Sequence, residues 1–104
     1  MASKKATKLK AVEPATKIGE AIFLRSVTHH YTGRLAAITP LAPGVLVLTL
    51  TDAAWIADDG RFAAALATGE LNEIEPYPDG PVDIFVGALC DVARWPHLLP
   101  RKVK

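Results

Sequence analysis

The chain has 104 residues, half of them hydrophobic, with twelve Lys and Arg against eleven Asp and Glu for a formal net charge of +1. That length accommodates one domain, and the apolar half excludes a disordered polypeptide. The single cysteine, Cys90, excludes an internal disulfide framework and a cysteine-based zinc site. The richest apolar stretch, residues 35–50, is cut by Pro40, Pro43 and Gly44, short of the ~18–20 residues that span a bilayer, so no membrane partner is expected.

The near-neutral total hides a division. Residues 1–17 set five lysines against Glu13, a net of +4, and Arg101, Lys102 and Lys104 add +3 at the other end. Residues 18–100 set four arginines against ten acids, a net of −6. The chain therefore reads as a basic arm over 1–17, a single small β domain over 18–100 and a basic tail over 101–104. The arm has no hydrophobic periodicity and contains Pro14, which predicts a flexible segment. No apolar stretch follows residues 1–10, as a secretory signal would require. Three roles fit the arm. It is a solubilising tail, or it neutralises nucleic-acid phosphates without reading sequence. In the third, Lys4, Lys5, Lys8 and Lys10 dock on the acidic body of a neighbouring subunit.

In chain order, residues 18–27 are rich in Ile, Phe, Leu and Val and predict a first strand. A polar stretch follows, and residues 31–39 predict a second strand that ends at Pro40. Leu41, Ala42, Pro43 and Gly44 supply a turn, since Pro fixes φ and Gly permits φ > 0. Residues 45–51 are apolar or β-branched throughout, which predicts a strand buried on both faces at the centre of the core. Asp58 or Asp59 is positioned to cap a short helix over 60–68, closed by Gly69. Phe62 and Leu66, four apart, share its inward face. Residues 70–75 predict a short strand or extended link, and 76–81, with three prolines and a glycine, predict a loop.

A last strand is expected from Val82 to Val92. Val82, Ile84, Val86, Ala88, Cys90 and Val92 line one of its faces, while Phe85 and Leu89 interrupt an opposite face that should be polar. Either the short helix or another subunit covers them. Residues 94–100 end the domain in an apolar, proline-punctuated tail that needs something to pack on. The pattern is mainly β: a small, strongly bent antiparallel sheet or barrel with one short inserted helix and a flexible basic N-terminal arm.

The chain shows no catalytic, cofactor-binding or metal constellation. His29 and His30 are adjacent, so in a strand they face opposite ways and do not chelate one ion, and His97 is remote. Asp58 and Asp59 are explained by capping, and Glu73 and Glu75 share a face with no basic neighbour in sequence to tune them. Cys90 sits in the apolar row as a small hydrophobe with an inert thiol. Neither serine, Ser3 or Ser26, lies in a nucleophile elbow, and no glycine-rich phosphate loop occurs. Trp55 and Trp95 are either stacking platforms for bases or contributors to a core or interface, and the second reading is favoured.

Residues Ala21-Ile-Phe-Leu-Arg-Ser-Val27, Tyr31-Thr-Gly-Arg-Leu35 and Val45-Leu-Val-Leu48, with the later Val82-Asp-Ile-Phe-Val86, resemble the strand order of Sm-like or Hfq-type small barrels. The resemblance covers about residues 18–50 and 82–93 and implies an SH3/Sm-like barrel and a ring-forming habit. The whole chain is also similar to short phage- and prophage-encoded proteins, through residues 18–28, 52–58 and 87–92. That resemblance implies a virion or assembly context. The expectation is a non-enzymatic, self-associating structural protein, cytoplasmic or in a virion, without a cofactor. It forms a homo-oligomer, or joins other structural subunits, through Phe85, Leu89, Trp95, Leu98 and Leu99, aided by the arm lysines. The alternatives are an Sm-like protein holding nucleic acid through the arm, and a small regulator docking on a host protein.

Overall fold

The computed structural model describes Pro14 and residues 16–104, so Lys4, Lys5, Lys8 and Lys10 lie outside the described residues. The apolar runs form six strands and one helix: β1 Ala21–Arg25, β2 His30–Ala42, β3 Val45–Asp58, α1 Phe62–Thr68, β4 Glu73–Pro76, β5 Val82–Val86 and β6 Asp91–Arg94. Every ladder is antiparallel. The order is β4-β3-β2-β1-β6, with β5 on the same edge of β3 as β4 but further back along it, and the bent sheet stays open.

The long β2–β3 hairpin turns at Pro43 and Gly44, and Gly44 has φ 78°, a conformation that glycine adopts without strain. The second strand does not end at Pro40 but runs on to Ala42. β1 flanks β2 only as far as Arg34, so the rest of β2 is a sheet edge, where proline is tolerated. Nor is the 45–51 stretch buried on both faces: Leu48 and Leu50 are buried, while Val45, Val47 and Thr49 are half-buried.

A bulge in β3 decides the architecture. Thr32 pairs with Ala54 and Arg34 with Thr51, so β3 carries one extra residue opposite Gly33. Asp52 absorbs the irregularity at φ 49°, a left-handed conformation that Asp tolerates better than most residues. Because side chains alternate with period two, one inserted residue exchanges the faces. Leu48, Leu50 and Ala53 enter one core with Ile22, Leu24, Leu35 and Ile84. Ala54 and Ile56 enter a second core with Phe23, Ala65, Leu71, Ile74 and Trp95. β1 supplies both, Ile22 and Leu24 to one side and Phe23 to the other. Gly33 is required by packing at the bulge, since a Cβ there would sit 2.9 Å from Leu50 Cβ.

The expected single strand over 82–92 is two strands. β5 pairs with β3, and after a turn at Ala88 and Leu89 the chain crosses to pair as β6 with β1 on the other edge. An unbroken apolar alternation cannot show that break, because Val82, Val86, Cys90 and Val92 pack on the same core from both edges.

In α1, Phe62 and Leu66 do pack inward, beside the buried Ala65. The helix starts at Arg61 with no side-chain cap, so neither aspartate caps it. Asp58 instead accepts a hydrogen bond from the Gly60 N–H (2.8 Å), and Asp59 pairs with His30 at 3.1 Å. Gly69 closes the helix at φ 80°, and its missing Cβ admits His97, whose Cγ would lie 2.8 Å from one. The His97 ring nitrogen donates to the Leu66 carbonyl at 2.7 Å, pinning the tail to the helix. The last four residues do not trail from the domain. Lys104 exchanges backbone hydrogen bonds with Ile74 (2.9 and 3.1 Å), and Arg101 donates to the carbonyls of Ala53 (3.0 Å) and Tyr77 (3.1 Å).

Candidate functional site

Beyond Arg34 the hairpin projects past β1, and among the described residues β5 is the only further strand paired with it. Three cross-strand rows run over it: Ile38–Leu48–Ile84, Thr39–Val47–Phe85 and Pro40–Leu46–Val86. One face of these rows reaches the first core through Leu48 and Ile84, whereas the Phe85 face has no second layer among the described residues. Phe85 is 63% exposed, Leu89 in the following turn 79%, and Ile38, Leu41 and Leu46 are exposed as well. The helix does not cover Phe85: α1 lies over Phe23, at the other end of β3.

The tail residues grouped with Phe85 by sequence separate in the structure. Trp95 is 3% exposed and belongs to its own protomer's core. Its ring tilts against Phe23 at 5.5 Å and its indole N–H donates to the Leu98 carbonyl at 3.2 Å. Trp95 is therefore withdrawn as a surface contact, and Leu99 packs half-buried on the same core. Leu98 is exposed, its carbonyl held by the Trp95 indole.

A second surface feature was not anticipated. Tyr31, Trp55 and Glu75 lie directly opposite one another on β2, β3 and β4 and share one face. His29 stacks on Tyr31 at 6.2 Å and tilts against Trp55 at 6.1 Å. Tyr77, between Pro76 and Pro78, completes a groove of about 440 Å³. Burial, reinforced by the neighbouring Tyr77, holds the Tyr31 phenol above its ordinary value. The Tyr31 phenol is thus neutral near pH 7, and Glu75 supplies the groove's carboxylate. The sequence marks of this groove are Trp55, weighed above as a stacking or interface residue, and Tyr77, an aromatic between two prolines in a loop. The groove needs the register of three strands, which a sequence does not print.

Elsewhere polar groups join elements. Arg25 forms a two-pronged pair with Asp91, its Nε 2.9 Å from Oδ1, and lies 3.6 Å above the centre of the Phe62 ring. The hydrogen bond from Arg25 holds the Asp91 carboxyl below its ordinary value, against a smaller opposing effect of burial. His29 and His30 turn to opposite sides of the sheet, toward Trp55 and Phe23 respectively. Among the described residues no three His, Cys, Asp or Glu gather where they could hold a metal ion, and no helix is long and apolar enough to cross a membrane. Compared with protein families, curated proteins and solved structures, the chain matches none.

Proposed function

We propose that this chain is a structural, self-associating protein that binds rather than catalyses, and that it meets further copies through the β5 side of its hairpin. The observation that carries this reading is the uncovered Phe85, which stands with Val47 and Thr39 on the face of the hairpin away from the Leu48–Ile84 core and is followed by the exposed Leu89 in the next turn. A large apolar ring left this exposed beside a second exposed leucine supports an interaction site here. The contact runs through the face rather than by adding a strand. Pro40 and two register irregularities, between Leu35 and Ala37 and between Pro40 and Ala42, spoil the free edge of β2 as a template. A repeated contact between identical copies closes into a symmetric oligomer or extends as a filament. The sequence likeness to short phage and prophage proteins supports a virion or virion-like assembly as the setting.

Light scattering after size exclusion, with the 260/280 absorbance ratio recorded, tests the reading. The expected result is a multimer free of nucleic acid that falls to monomer in a Phe85→Asp, Leu89→Asp variant with unchanged circular dichroism. A monomer at every concentration would overturn it in favour of a host-protein partner. Nucleic acid that co-purifies and leaves at high salt would overturn it in favour of the nucleic-acid reading.

A further inference from the structure

We infer that the Tyr31–Trp55–Glu75 groove is a receptor for lysine side chains, and that its occupant is this chain's own N-terminal lysine segment, Lys4 to Lys10. The inference does not depend on the hairpin contact proposed above.

The groove selects a cation on chemical grounds. Indole and phenol faces carry negative potential and attract an ammonium group lying over them. Trp55 is half open to solvent, Tyr31 stands opposite it on the next strand, and Glu75 supplies a carboxylate on the third. No lysine or arginine lines the groove itself, where Glu75 repels a phosphate, and Lys104 borders Trp55 and Glu75 from their other side. That argues against a base-stacking platform, which needs positive charge along the backbone track. The occupant follows from charge and reach. Residues 1–17 carry a net of +4, facing a body of net −6. The described chain begins at Pro14, whose carbonyl is held by Arg94 Nη2 at 3.4 Å on β6. Lys4 and Lys5 lie nine or ten residues upstream, an extended reach of roughly 30 Å. Four strand spacings separate β6 from β4, about 19 Å. The segment is long enough to reach the groove of its own copy or of an adjacent one.

Carbodiimide coupling of the full-length protein tests this, because it joins a carboxylate to an amine only where the two already touch. Mass spectrometry should find Glu75 joined to Lys4, Lys5, Lys8 or Lys10 above the other acids. Trp55→Ala, which leaves every carboxylate in place, should lower that yield roughly threefold to tenfold, the range expected for losing a cation–π contact. Coupling spread evenly over the acids, or a yield indifferent to Trp55→Ala, would overturn the inference. A second measurement needs no groove variant. Changing Lys4, Lys5, Lys8 and Lys10 to Gln should shift the Trp55 indole N–H resonance and leave that of Trp95, bonded internally to Leu98, where it was. Neither resonance moving, or both moving together, would also overturn it. Mixing light and 15N-labelled protein separates this outcome from the assembly reading. Couplings confined to one isotope in a monomeric sample would sink self-association and still support the groove, whereas a multimer without Glu75 couplings would do the reverse.

Discussion

The two halves of β3 share one backbone and differ in almost everything around it. From Ala53 to Ile56 the strand has β2 and β4 beside it, and its side chains are divided between two cores. From Val45 to Leu50 it has β2 and β5 beside it, one buried face, and apolar side chains left in solvent. The difference teaches where apolar residues serve folding and where they are left over. In the first half, removing them removes stability. In the second, Leu48 and Leu50 still serve folding, and removing the exposed ones is expected to remove the contact surface proposed above.

The sharpest way to break that comparison is a pair of truncations. Phe23→Ala, at a fully buried ring packed on Phe62 and Trp95, is expected to cost about 3–5 kcal/mol in denaturant unfolding. Phe85→Ala is expected to stay within about 0.5 kcal/mol when measured on the isolated monomer. Comparable losses at the two rings would mean the hairpin belongs to the folding core after all. Next in size is Gly33→Ala at the bulge, where the added methyl meets Leu50 and forces the two strands apart. Overpacking of this kind costs about 1–3 kcal/mol, read as a lower unfolding midpoint.

A smaller change runs in the opposite direction. The Thr32 hydroxyl is buried and finds no hydrogen-bond partner among the described residues. Thr32→Val, nearly the same shape, should therefore stabilise by about 1 kcal/mol, and a loss of that size would reveal a hidden partner. The smallest effect is expected at Asp91, whose pair with Arg25 is largely open to solvent. Asp91→Asn should cost a few tenths of a kcal/mol near neutral pH. The Asp91 carboxyl is depressed from its ordinary value of 3.8, so its contribution is present above that value and disappears as pH falls through the lowered one. The variant's stability should accordingly merge with the parent's in acid, when unfolding midpoints are compared from neutral pH downward.

The same comparison shows what a sequence can display. Local features were legible: the Pro43–Gly44 turn, the inward pair Phe62 and Leu66, the Gly69 stop, and the core strand around Leu48 and Leu50 each rest on neighbours in the chain. The mainly β, bent antiparallel character followed from them. What stayed hidden depends on partners. An aspartate at position 52 reads as the end of an apolar strand, whereas the strand continues by tolerating one left-handed residue. Pro40 reads as a terminator, but a proline on an uncovered edge does not stop pairing. The apolar alternation through Val92 conceals a crossing between sheet edges, because both segments face one core. Phe85 and Leu89 were legible as misplaced apolar residues, while Trp95 drew the same inference from its proline-rich surroundings and proved to be buried. The Trp55 groove required three strands in register, and the chain marked only its separate aromatics, Trp55 and Tyr77, without bringing them together.

β1 carries a consequence for how this protein comes apart. Its five residues hold Ile22 and Leu24 in one core and Phe23 in the other, all three fully buried. Neither core can be opened alone without pulling on the strand that the other still grips. The molecule should therefore lose both at once, and the amide protons of these three residues should exchange with solvent only through whole-molecule unfolding, as the slowest in the chain.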